Sequence, residues 1–242
     1  MQNKWYWIFR NIIFGPLLRV YNRPEIVGVD NIPSTGPAII ASNHQSVMDS
    51  FFLPLLCPRQ ITFLAKAEYF NGTTPVGRLQ KWFFTNVGQR PVNRTSASAG
   101  QDALNTAVEV LNDGDLFGIY PEGTRSPDGR LYKGKTGVAR IALASGAQVI
   151  PVAMIGTRDV NPIGTWFPRP GKVRVKVGDP IYPIEFVNNR GLERDSYEAI
   201  RALTDHIMRQ LQQLSGQEYA DVYAAEVKKA LAEGGDSSPH NP

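Results

Sequence analysis

Ala38-Ile39-Ile40-Ala41-Ser42-Asn43-His44-Gln45-Ser46-Val47-Met48-Asp49 decides the reading of this chain: five small or apolar residues, a short polar run, then the opening of a second apolar segment. Residues 38–42 carry no charge and read as a strand buried on both faces, the signature of a parallel sheet. Ser46 and Asp49 are spaced as an N-cap and a carboxylate at the third helical position, so a helix is expected over residues 47–56. A strand that passes through a polar loop into a helix is the repeating unit of α/β domains, which place their ligand contacts on loops at strand ends.

The same alternation continues in both directions. Strands are expected at residues 25–30, 61–65, 116–120 and 149–155, with a period-two run at 172–177. Helices are expected at Ala99–Asn112 and at Gly137–Ser145, the latter closed by Gly146. Tyr197, Ile200, Leu203, Ile207, Leu211 and Leu214 trace one face of a long helix, and a second is expected over residues 219–232. The expected fold is therefore α/β, a mixed and largely parallel sheet flanked by helices, with a helical C-terminus. With 242 residues, 42% hydrophobic and 20% charged, the chain suffices for one domain with a sizeable core. That domain is placed at residues 23–233, and 234–242 read as a disordered tail.

Residues 1–22 read differently. Trp5, Trp7, Phe9, Ile12, Ile13, Phe14, Leu17 and Leu18 are interleaved with Lys4, Arg10 and Arg19, a mixture that favours a membrane interface. No run approaches the roughly 20 apolar residues a spanning helix needs, and the polar interruptions argue against a cleaved signal peptide. An interfacial amphipathic anchor helix is expected. The net charge of +4 suits anionic lipid or phosphorylated ligands. The single cysteine, Cys57, excludes an internal disulfide and reads as a small core hydrophobe.

Asp49, on the first turn of its helix, can accept a hydrogen bond from one ring nitrogen of His44 and leave the other free to take a proton. In isolation such a pair is more readily a capped helix beside an ordinary loop histidine. Elimination favours chemistry: the other two histidines, His206 and His240, lie on the long helix and in the tail, so His44 is the candidate base. Three scattered histidines and one cysteine form no zinc pattern, and no metal is expected. A second cluster, Tyr120-Pro121-Glu122-Gly123-Thr124-Arg125-Ser126, follows an apolar strand. There Arg125 offers a fork of donors suited to phosphate, and Glu122 could orient it or hold an acceptor hydroxyl. Lys66, Arg90 and Arg94 supply further cations. Gly129 to Thr136 satisfies the phosphate-loop pattern of nucleotide triphosphatases, but it follows a polar turn rather than a strand, which argues against a nucleotide site.

Together these segments resemble the glycerolipid acyltransferase family typified by bacterial 1-acylglycerol-3-phosphate acyltransferase. The likeness rests on Asn43-His44-x-Ser46-x-x-Asp49, on a Gly-x-x-x-Val-x-Arg block from Gly88 to Arg94, on Pro121 to Ser126, and on Val149-Ile150-Pro151-Val152. It implies transfer of a fatty acyl group from acyl-CoA or an acyl-carrier protein to the hydroxyl of 1-acylglycerol-3-phosphate, with glycerol-3-phosphate or another lysolipid as alternative acceptors. By the resemblance, His44 is the base, Asp49 orients it, Arg94, Arg125 and Lys66 hold phosphate with Arg90 as an alternative, and Glu122, Gly123 and Thr124 shape the acceptor site. Backbone amides after Ser46 are expected to meet the oxyanion. The resemblance implies no cofactor beyond the acyl carrier and no nucleic-acid partner. The expected location is peripheral and monotopic, on the cytoplasmic face of the cell membrane.

Overall fold

The computed structural model describes residues 3–92, 98–165 and 167–233. Its centre is β2 (Ala38–Ser42), every residue of which is buried. β2 pairs in parallel with β5 (Leu116–Ile119) on one side and with β7 (Gln148–Ile155) on the other. Outside β5 lie β3 (Ile61–Lys66) and β4 (Arg90–Val92), both parallel. Outside β7 lie β8 (Arg174–Val177), antiparallel to β7, and β1 (Glu25–Val27), parallel to β8. The order β1-β8-β7-β2-β5-β3-β4 confirms a mixed, largely parallel sheet. After β2 the chain builds one side of the sheet, and after β5 it crosses to the other, so the switch of direction falls beside the carboxyl end of β2.

Strand alternation divides the core in two. Ile39, Ala41, Phe117 and Val149 face α5 (Ala99–Asn112), α6 (Gly137–Ser145) and α9 (Tyr197–Ser215). Ala38, Ile40, Leu116, Ile150 and Val152 face Phe52, Leu53 and Cys57 of α3 (Asp49–Leu56) and its C-cap, together with Leu18 of the N-terminal segment. Burial pushes the Cys57 thiol up to about 11, in keeping with a core hydrophobe.

Several elements differ from expectation. The strand expected at 25–30 ends at Val27, because Gly28 adopts φ 77° and a 3₁₀ turn follows at Val29–Asn31. The single anchor helix is two, α1 (Lys4–Ile8) and α2 (Phe14–Asn22), joined by a π-helical turn at Phe9–Ile13. A helix unforeseen in the sequence, α4 (Pro75–Asn86), is capped by Thr74 and packs on them: Trp82 contacts Trp5 at 4.9 Å and Phe9 at 5.8 Å between ring centroids. Tyr197 leaves the buried face of α9 for solvent. The helix expected at 219–232 starts later: Tyr219–Ala220 is a strand pairing with Leu131–Tyr132, here called β9 and β6, and only Ala224–Ala232 is helical. With α7 (Thr157–Val160) and α8 (Pro183–Asn188) counted, that last helix is α10. No helix among the described residues is long and apolar enough to cross a membrane. The 234–242 tail lies outside the described residues.

Gly118 of β5 is required by close approach. A Cβ there would stand 2.3 Å from the Phe63 ring. Gly118→Ala is expected to destabilise the fold by about 1–3 kcal/mol through overpacking, measured by urea denaturation.

Candidate active site

The register pairs Ala41 with Ile119, so β2 and β5 end at the same level and release the two motif loops side by side. Asn43 takes over from the strand. Its Oδ1 accepts the Met154 amide at 2.7 Å and its Nδ2 donates to the Met154 carbonyl at 3.0 Å, continuing the ladder to β7 through a side chain. The backbone of His44 is then held from the neighbouring loop: its N–H donates to Glu122 Oε1 at 2.9 Å, and its carbonyl accepts the Ser126 amide at 2.8 Å.

The His44 ring is held by two contacts. Nδ1–H donates to Asp49 Oδ2 at 2.9 Å, and the ring stacks on Tyr120 at 3.9 Å and 11°. Tyr120 in turn shares a hydrogen bond with Ser50 and stacks on Phe63, the ring that fills the space left by Gly118. Asp49 Oδ2 also accepts the amides of Gln45 at 2.7 Å and Ser46 at 2.8 Å. The expected capping box is only half formed: the carboxylate reaches back to the Ser46 amide, but Ser46 Oγ accepts the Met48 amide rather than that of Asp49, and the N-cap of α3 is Met48 in place of Ser46. The regular helix starts only at Asp49, because residues 46–51 make i→i+3 bonds first. Asp49 is fully buried, whereas His44 opens onto a cavity of about 1200 Å³.

Phe14, Phe51, Phe63, Phe83, Leu104 and Ile141 are among the apolar residues of that cavity wall, and Lys66, Gly123, Thr124, Arg125 and Lys135 are polar or charged parts of it. Lys66, Gly123, Thr124 and Arg125 thus share one space with His44, as the sequence suggested. Arg90, exposed on β4, does not line the cavity, and Arg94 lies outside the described residues. Glu122 is placed differently from expectation. It is fully buried behind His44 and does not touch the cavity, and its Oε2 accepts the Tyr132 amide at 3.0 Å. A carboxylate that bridges two main-chain amides acts as a bolt between loops. The amides expected to meet an oxyanion are also mostly committed: those of Gln45 and Ser46 to Asp49, that of Met48 to Ser46 Oγ. Among the described residues of that turn, the Val47 amide is the one left without a protein acceptor.

A family model described as acyltransferase matches residues 23–155, from the end of α2 through β7 and both motif loops. The chain belongs to the acyltransferase family. A chloroplastic 1-acyl-sn-glycerol-3-phosphate acyltransferase of Arabidopsis thaliana is 34% identical over 65% of this chain, and that match spans 43% of its own length. The enzyme of the same name from Bacillus subtilis is 27% identical over 81% of this chain and 87% of its own. The crystal structure of the 1-acyl-sn-glycerophosphate acyltransferase PlsC from Thermotoga maritima superposes with a TM-score of 0.64 at 28% identity, covering 88% of this chain and 79% of that one. This chain spans less than half the length of the chloroplastic relatives. Both motif loops of the acyltransferase domain, and the Glu122 bolt between them, lie inside the matched segment.

Burial is the largest influence on Glu122 and raises its carboxyl from the ordinary 4.5 to about 7, against the two amides, which favour the ionised form. A folded value above the unfolded one means a stabilising contribution fully present below about pH 4.5 and lost as the pH rises through about 7. Glu122→Gln removes that titration and leaves one of two buried amides facing an NH₂ group. The stability advantage of wild type over the variant is expected to shrink from pH 4.5 to 7, read from urea midpoints across that range. Turnover of the variant should fall because the His44 backbone is no longer held on that side.

Proposed function

We propose that this protein transfers a fatty acyl group from a thioester carrier, acyl-CoA or acyl-carrier protein, to the free hydroxyl of 1-acylglycerol-3-phosphate, giving phosphatidic acid. The observation that carries this reading is the buried Asp49 holding Nδ1 of a histidine that opens onto a large, mainly apolar cavity. The names of the relatives supply the acceptor. Drug-sized ligands occupy pockets of roughly 300–1,000 Å³, so a cavity of about 1200 Å³ has room for a long acyl chain.

With Nδ1–H donated to Asp49, Nε2 of His44 carries a lone pair and takes the proton of the acceptor hydroxyl. The hydroxyl oxygen attacks the thioester carbonyl carbon, and the electron pair of the C=O moves onto oxygen. The Val47 amide is the donor proposed for that oxyanion. When the carbonyl re-forms, the C–S bond breaks and the thiolate leaves with the proton held by His44. Asp49 supports the imidazolium between the two transfers. No covalent acyl-enzyme forms. Lys66 and Arg125 face the acceptor phosphate from the cavity wall, while Glu122 and Tyr120 keep the base in place.

The protein works at a membrane surface in this reading. Trp7, Ile12, Leu17 and Val20 of the N-terminal helices and Val76 and Leu79 of α4 are exposed, and the aromatic contacts of Trp82 and Phe83 join the two elements into one apolar face. Contiguous exposed apolar side chains of this kind mark interaction with a membrane or a partner, and Phe9, Phe14 and Phe83 beneath them also line the cavity that reaches His44. An acyl chain can pass between bilayer and base along apolar surface. The double variant Trp7→Glu, Leu17→Glu is expected to lose co-sedimentation with phosphatidylglycerol vesicles while still acting on detergent-dispersed acceptor.

Thiol release from palmitoyl-CoA tests the chemistry. Wild type should release thiol only when lysophosphatidate is present, and His44→Ala should lose about 10²–10⁴ of that rate with its fold intact by circular dichroism. Absence of acceptor-dependent release from wild type, with either acyl-CoA or acyl-carrier protein as donor, refutes the proposal.

A further inference from the structure

The C-terminal part of the chain, beyond the segment that defines the family, returns to the Gly123–Arg125 loop. The β6–β9 pair brings α10 against it, and Lys228 on α10 donates from Nζ to Thr124 Oγ1 at 2.7 Å. On the other side Lys135 lies across Gly123, where an added Cβ would stand 3.2 Å from its Cδ and Cε and 3.4 Å from its Nζ. Arg125 completes the group. Burial and the Arg125 charge both hold the Lys228 ammonium below its ordinary value.

Three cations therefore meet on one three-residue loop, and among the described residues none of them is within ion-pair distance of a carboxylate. Glu122, the nearest in sequence, spends both oxygens on main-chain amides. Glu226, two residues before Lys228, lines a small hollow beside Lys135 without pairing with it. Glu122 offsets part of the Lys228 charge from behind the loop without pairing with it, and three like charges against one carboxylate still favour an added anion. The chemistry they fit is a phosphoryl group.

We propose that Lys228, which stands behind the cavity wall, is a positioning residue for the acceptor's phosphate, holding the wall residue Thr124 in place and adding a third positive charge to those of Arg125 and Lys135. The proposal rests on the acyl-transfer reading above. The phosphate of the acceptor is favoured over those of the carrier by chain length. In a glycerol phosphate the phosphoryl-bearing carbon adjoins the hydroxyl-bearing one, whereas a carrier's phosphates stand a whole pantetheine arm away from the thioester. The loop is correspondingly close to the base, since Ser126, next to Arg125, donates its amide to the His44 carbonyl.

Lys228→Gln keeps a hydrogen-bond donor for Thr124 and removes the charge, and Lys228→Arg keeps the charge. In Lys228→Gln the preference for lysophosphatidate over monoacylglycerol, as a ratio of kcat/KM, should drop about tenfold or more, with KM for palmitoyl-CoA unchanged and with most of the preference restored in Lys228→Arg. A ratio within twofold of wild type overturns the proposal, and so does a rise in KM confined to palmitoyl-CoA, which would assign the cluster to the donor. Equal loss toward both acceptors in both variants overturns it in favour of a purely structural lysine. A second measurement does not depend on turnover: glycerol 3-phosphate, but not glycerol, should raise the Tm of wild type and fail to raise that of Lys228→Gln. Equal shifts in both proteins, or none in wild type, defeat the inference even if transfer is observed, while a wild type that binds glycerol 3-phosphate but transfers nothing defeats only the reading of the reaction.

Discussion

One carboxylate oxygen, Oδ2 of Asp49, accepts three hydrogen bonds: from the ring of His44 and from the amides of Gln45 and Ser46. Everything else in the site depends on that convergence. The amide bonds close the turn that leads into α3, and the ring bond orients the base, so a single atom performs a folding task and a chemical one. Full burial makes the arrangement costly to break, because hydrogen bonds to a charged group contribute about 1.5–3 kcal/mol each and an unpaired buried charge costs more. The loop is short enough that the histidine cannot relax away from its partner: four residues separate them, and the backbone of His44 is fastened at both its N–H and its carbonyl to the neighbouring loop.

The cavity has two kinds of wall, and the sheet explains why. Much of the aromatic lining comes from the N-terminal helices, α3, β3 and α4, while Lys66, Arg125 and Lys135 come from the end of β3, the loop after β5 and the segment before α6. A parallel sheet sends its loops to one end and its helices to its faces. An amphiphilic ligand is matched by that division, with a charged group at the strand ends and an apolar one along the helical flank. The apolar wall also lowers the local dielectric around His44, which strengthens its bond to Asp49 relative to the same pair in water.

Much of this was legible in the sequence, for identifiable reasons. The all-buried strands β2 and β7 are continuous apolar runs and cannot be mistaken for surface, and α5 and α6 are bounded as their periodicity and the Gly146 stop require. His44 and Asp49 are five residues apart, so local spacing suffices to pair them. What escaped depends on contacts distant in sequence. The role of Glu122 comes from a bond to a residue 78 positions earlier, Ser46 Oγ donates to Asn161 115 positions away, and Lys228 reaches Thr124 across 104. Helix α4 was missed because its apolar residues, among them Val76 and Leu79, face outward, so the usual link between apolar periodicity and a buried stripe does not hold there.

The Gly129 to Thr136 segment separates a sequence pattern from the physics it stands for. A phosphate loop binds because successive amides are free to point at the ligand. Here the amide of Gly129 donates to Ser126 Oγ, that of Arg130 to Asp128, that of Leu131 to the Glu218 carbonyl, that of Tyr132 to Glu122, that of Lys133 to Ala220 and Val222, and that of Lys135 to Pro121. Six of the eight amides already have protein acceptors, and Leu131 and Tyr132 are buried in the β6–β9 pair. The segment cannot cradle a triphosphate without dismantling that pair and releasing Glu122 from one of its two partners. Its matching letters hold the second motif loop in register with the first, and it is the Lys135 side chain, lying over Gly123, that reaches the cavity as a cation.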